Sequence, residues 1–341
     1  MQKNMRKERI IWLDIVRAFS VVLIICTHFN DAVASREISI ANRAYLIPST
    51  FANGTFGTLG VSLFFIISGA SLMYTYSEEF DIKTYFLKRF KGIYPMFWLA
   101  YAGAFLYYFW KCKRIIFNAE KWTFLLTILG FDGYFNYKVR TYYLLGEWFL
   151  GCIILMYILF PVIRKFYKKN AYLFLGIYLI IYVLVVWYYP FEMSISRNFF
   201  TRLLDFCFGM FVIDKMKKMK FYYVIPAGIV FLFFLLYKLP DKGMYAITLM
   251  GMSAFIIVVA ISEKIKKESV IKLCQTVGKY SYGIFLVHHI IINEILTRFS
   301  GCSLSFVEGC LLFLETVLVI SLLAWCLFEG EKRLVKKISK K

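Results

Sequence analysis

Three side chains in one short stretch have the types and spacing to do chemistry: Asp14, Arg17 and His28. Histidine is the side chain whose ordinary titration falls near neutrality, so His28 can take up or release a proton under mild conditions. Arg17 is a permanent cation, suited to an anionic ligand. Asp14 stands one helical turn before Arg17, where it can act as its counter-ion. On a helix, Arg17 and His28 share one face, about three turns or roughly 16 Å apart along the axis.

The element that must position them is the apolar run 10–29, IIWLDIVRAFSVVLIICTHF. Its length matches the ~30 Å hydrocarbon core of a bilayer. An ionisable group near the centre of such a span costs roughly 2.5 kcal/mol or more, which makes it a functional-site candidate by default. The only other histidines, His288 and His289, also fall in an apolar run. For each of the three the competing reading is a structural one, a buried ring satisfied by its neighbours.

Composition points the same way. Of the 341 residues, 60% are hydrophobic and 20% aromatic, and the mean hydropathy is +0.66. A soluble domain is about half apolar, so an all-α polytopic membrane protein is expected. The net charge of +20 suggests a nucleic-acid partner at first sight. The basic residues, however, sit in short clusters between apolar runs, as the positive-inside rule places them. No aromatic-basic nucleic-acid module is present, so the expected surroundings are a lipid bilayer and no nucleic acid. The eight cysteines are scattered singly, with no C-x-x-C pair and no zinc spacing, so no metal site is expected from sequence.

Ten spans are expected, at 10–29, 56–76, 93–110, 144–163, 171–189, 200–213, 221–239, 244–261, 277–296 and 305–328. The stretch 121–131 is too short to cross and is read as interfacial or re-entrant. Basic clusters follow every second span, beginning with a loop that carries Lys83, Lys88, Arg89 and Lys91, and ending in a basic tail at 329–341. Lys3, Arg6, Lys7 and Arg9 precede the first span, which lacks a small-residue cleavage site and is read as retained. Both termini are therefore expected in the cytoplasm, with the chain, 1–341, forming one integral-membrane domain in the plasma membrane. No internal repeat is visible, which weakens a transporter reading without excluding it.

Six blocks, in order along nearly the whole chain, resemble the membrane acyltransferase-3 family. They are L-D-I-V-R-A followed by His28, GVSLFFIISG from Gly60, KRFKGIYP from Lys88, EWFLGCIILMYILFP from Glu147, Arg202 with DFCFG, and GKYSYGIFLVHH from Gly278. One position departs: where the family's basic motif has a second arginine this chain has Gly92, with Lys91 beside it. The chain ends soon after its last span, so the likeness is to the single-domain form.

The resemblance implies acyl transfer, usually of acetyl from acetyl-CoA, to a hydroxyl of an envelope polysaccharide, exopolysaccharide or lipid-linked sugar. It implies no bound cofactor, with acyl-CoA as co-substrate. A hydroxyl attacking a thioester needs a general base, the role read for His28, while Arg17, oriented by Asp14, faces the donor. Lys88, Arg89 and Lys91 are the further donor-binding candidates, against the plain reading of positive-inside charge. Glu147, His288, Ser281 and Tyr282 form a second rank, and Ser68 and Gly69 are read as close-packing residues. Two rivals stay open: a glycan or lipid-linked-sugar transporter or flippase using His28 as a proton relay, and a non-catalytic partner of an envelope assembly machine.

Overall fold

The computed structural model describes residues 9–145, 147–216, 220–239 and 243–338, without the side chains of 147, 221, 337 and 338. Among them the regular structure is almost entirely helix. The long helices are α1 (Ile11–Ser35), α2 (Phe56–Thr75), α3 (Ile82–Cys112), α6 (Glu147–Lys169), α7 (Ala171–Tyr188), α8 (Phe199–Lys215), α9 (Phe221–Leu236), α10 (Gly243–Ser262), α11 (Glu268–Thr297) and α12 (Phe306–Ile338). Two short helices, α4 (Phe124–Ile128) and α5 (Asp132–Phe135), lie between α3 and α6. Six of the described helices, α1, α2, α6, α7, α10 and α12, are long and apolar enough to cross a membrane. The 121–131 stretch folds as a 3-10 turn and α4, about one and a half helical turns, far short of a crossing.

The surface confirms the solvent. Helices α7 and α12 are only about one-fifth buried, and they expose Leu173, Ile180, Trp187, Leu311, Leu318 and Trp325. A water-soluble fold does not present apolar faces of this extent, whereas lipid requires them, with every backbone group bonded inside its helix. This is an all-α membrane protein.

At the centre is α2, packed against α1, α8 and α10. Glycines permit the approach. A Cβ on Gly69 would run into the Phe206 carbonyl of α8, and one on Gly209 would run into the Ile66 carbonyl of α2. Gly60 does the same toward α1, where its Cβ would stand 2.9 Å from the Ser20 carbonyl oxygen. Small residues at such crossings let helix backbones meet where lipid supplies no hydrophobic drive for association.

The basic stretch 83–91, expected as a loop, is helical. Asp81 caps α3 by accepting the Thr84 amide at 2.8 Å, and Lys and Arg are good helix formers, so α3 starts eleven residues before the expected span. Pro95 lies inside it and removes one backbone bond, to the Lys91 carbonyl, without ending it.

Contacts fix the direction of each helix. Arg17 of α1 lies opposite Gly278 of α11, and His28 lies against His288, so α1 and α11 run parallel. Strands β1 (Ser39–Ile40) and β4 (Ser303–Leu304), which follow those two helices, accordingly pair in parallel. A short antiparallel hairpin, β2 (Thr50–Phe51) with β3 (Gly54–Thr55), leads into α2. Arg36 clamps the same end of the pair, bonding Asn293 Oδ1 at 2.9 Å and Thr297 Oγ1 at 3.1 Å. Helix α3 runs with them: Tyr282 donates to the Ile93 carbonyl at 3.0 Å, and Lys111 pairs with Glu294 at 2.5 Å. Helices α2, α8 and α10 run the other way.

Candidate functional site

Between α1, α2, α3, α6 and α11 lies a cavity of about 440 Å³. Its wall follows α1 from Arg17 past Thr27 and His28 to Asp31, and α2 in the reverse direction from Thr55 to Ser68. The two polar groups of the first helix, about three turns apart, thus face one continuous space. Four cations, Arg17, Lys88, Arg89 and Arg197, stand in the described wall against one carboxylate, Asp31. That balance favours an anionic occupant.

At one end are Arg17, Lys88 and Arg89. Asp14 is buried, does not line the cavity, and holds Arg17 from behind at 3.5 Å. Arg9 is its closer partner, with Nε at 2.6 Å, so Asp14 ties two cations and fixes the start of α1. Arg89 lays its guanidinium over the Tyr157 ring at 5.7 Å, and its Nε is buried without a hydrogen-bond partner. Gly92 lines the cavity, while Lys91 is exposed and outside the wall. The charge missing at Gly92 is thus not replaced from the neighbouring position.

At the other end are His28, His288 and Arg197. His28 Nδ1 lies 3.8 Å from Asp31 Oδ2, one turn further on α1. His288 is buried and bonds the Phe285 carbonyl through Nδ1 at 2.8 Å. The rings of His28, His288 and His289 form one cluster, with centroids 4.1 to 5.3 Å apart. Ser281 lines the middle of the wall but donates its hydroxyl to the Gly278 carbonyl at 2.9 Å. Tyr282 likewise holds α11 to α3. The side chain of Glu147 lies outside the described residues.

The structure adds residues the sequence did not single out. Arg197 sits in a loop, held by the fully buried Arg202, whose Nε bonds the Ser196 carbonyl at 2.6 Å. Arg202 also bonds Ser62 at 2.7 Å, pairs with buried Asp205 at 3.2 Å and stands 5.9 Å over Trp148, a wall residue. Asp31 had a readable signal: it lies three residues after His28, on the same helical face. Arg197 had none, because a basic residue between two spans is ordinary.

The arrangement is a largely apolar chamber with a cationic wall, carrying His28 and His288 at one end and Arg17, Lys88 and Arg89 at the other. Such a chamber suits the transfer of a group from an anionic donor to a second substrate. No curated protein and no solved structure matches the chain. The profile of a family described as an acyltransferase domain matches residues 10–325, a stretch that contains every wall residue of the cavity. The chain therefore belongs to the acyltransferase-3 family, as a membrane protein that transfers acyl groups.

Proposed function

We propose that this protein transfers an acyl group, acetyl in the first instance, from acyl-CoA to a hydroxyl of an envelope polysaccharide, exopolysaccharide or lipid-linked sugar. The observation that carries the reading is that Arg17 and His28 face one cavity from opposite ends. The phosphates of the donor lie against Arg17, Lys88 and Arg89, and its long acyl-bearing arm extends along the cavity toward His28. The acceptor hydroxyl enters from the His28 end.

His28 Nε2 takes the hydroxyl proton as the oxygen attacks the thioester carbonyl. The carbon–sulfur bond breaks, the ester forms, and the departing thiolate takes the proton from the His28 imidazolium, which restores the base, so no covalent enzyme intermediate is needed. Asp31, behind Nδ1, orients the ring and steadies the imidazolium that forms. General-base assistance of this kind contributes typically 10²- to 10⁴-fold.

All ten long helices cross the plasma membrane in this reading, as one integral domain with both chain ends cytoplasmic. Lys88 and Arg89 then stand on the cytosolic side, where acyl-CoA is found, and His28 faces outward.

The test uses membranes containing the protein, labelled acetyl-CoA and envelope glycan. Wild type is expected to label the glycan, and His28→Ala to lose about 10²-fold or more while reaching the membrane in equal amount. Full activity of His28→Ala contradicts the base assignment, and glycan movement without donor consumption contradicts acyl transfer.

A further inference from the structure

The geometry points to a site for one divalent transition-metal ion of the Zn²⁺ class, formed by His28, His288 and His289 at the outer end of the cavity. The three residues come from two helices, and no sequence spacing announces them. Parallel packing of α1 on α11 brings one ligand nitrogen of each ring within 4.8 Å of the others. A tetrahedral zinc site with Zn–N near 2.0–2.1 Å places its nitrogens roughly 3.3 Å apart, so closure takes about 1.5 Å of side-chain rotation at most.

Two further observations favour an ion. His288 engages the Phe285 carbonyl through Nδ1, which puts its hydrogen there and turns the Nε2 lone pair inward. That Nε2 is buried and has no hydrogen-bond partner. His28 has the Asp31 carboxylate behind its Nδ1 at 3.8 Å, and a carboxylate or carbonyl behind each imidazole is the usual backing of a histidine metal ligand. His28 and His288 also line the cavity, which gives the ion an entry path and an open fourth position. Asp31 supplies negative charge nearby; Arg197, in the same wall, opposes it. An all-imidazole set suits Zn²⁺, Cu²⁺ or Ni²⁺ and not Mg²⁺ or Ca²⁺.

The consequence for catalysis rests on the function proposed above. The ion occupies the lone pair with which His28 takes the proton, so metal binding and base action exclude one another. Zn²⁺ that fills this site therefore inhibits acyl transfer.

The test uses the full chain in detergent, stripped with a chelator and titrated with Zn²⁺ against a chromophoric competitor. Expected is one tight equivalent, with an X-ray absorption first shell of nitrogen and oxygen only, near 2.0–2.1 Å. His288→Gln and His289→Gln are expected to weaken binding about tenfold or more, at unchanged helical signal and thermal midpoint. No tight equivalent, sulfur in the first shell (all eight cysteines are free), or an unchanged affinity in a folded His289→Gln each overturns the site. Should both variants misfold, the shell measured on wild type still decides.

In parallel, Zn²⁺ is added to the acyl-transfer assay. Inhibition over the concentrations that fill the site, shifted about tenfold or more higher in His289→Gln, is expected. Full turnover with the site filled overturns the competition. Absence of acyl transfer under all conditions refutes the proposed function and leaves the binding result standing.

Discussion

Arg17 is the residue with which donor binding is most simply tested. Its guanidinium is aimed into the cavity by Asp14, and a charge-assisted hydrogen bond contributes about 1.5–3 kcal/mol. Arg17→Ala is therefore expected to raise the KM for acyl-CoA by about 10- to 100-fold in steady-state kinetics; an unchanged KM removes it from the donor site. A second prediction concerns Asp132, between α3 and α6, which is 1% exposed. Burial pushes its carboxyl up from its ordinary value of 3.8 to about 7, against the Gly133 amide that holds it down. The folded protein then binds an extra proton between those values, so Asp132 costs stability as pH rises from about 4 to 7. Asp132→Asn should flatten that dependence and raise the thermal midpoint at pH 8, measured in detergent; a lower midpoint there contradicts it. Arg17 and His28 were legible because an ionisable side chain in an apolar span is expensive. Arg197 was not, since loop charge carries no such cost, and the tertiary packing that draws His289 beside His28 leaves no mark in spacing.

The helix crossings set the frame of the site. Gly69 and Gly209 set the α2–α8 crossing, with backbone meeting backbone. Gly69→Val is expected to cost about 3 kcal/mol or more and to cut the yield of folded protein, read by size-exclusion chromatography and thermal midpoint. A variant of native stability contradicts the close crossing. On α8, Arg202→Met leaves Asp205 as a buried unpaired charge, a loss of about 3–5 kcal/mol. Adding Asp205→Leu should restore most of that stability but not activity, because the Ser196 carbonyl that positions Arg197 has still lost its partner. Recovery of both makes Arg202 merely structural. The sequence located the long helices to within a few residues at most ends, because twenty-residue apolar runs bounded by charge leave little choice. It misplaced the starts of α3 and α11 and the end of α12, where charged residues suited to an inner loop or tail are equally good helix formers.

For the whole molecule, the directions of the helices carry the argument. Helices α1, α3 and α11 run one way and α2, α8 and α10 run the other. Those directions fit ten crossings with 121–131 on one side, and a crossing there would have turned α11 against α1. A cysteine placed at Asn136 should accordingly react with an impermeant thiol reagent added outside intact cells, and protection there contradicts the arrangement. The central claim is that one cavity joins a donor on one face to an acceptor on the other. Its most direct measurement is acyl transfer in sealed vesicles of known orientation, with labelled acetyl-CoA on the Lys88–Arg89 side and glycan on the opposite side. Wild type is expected to label the glycan across the sealed membrane, with His28→Ala silent. Transfer only when donor and acceptor share a side contradicts the account.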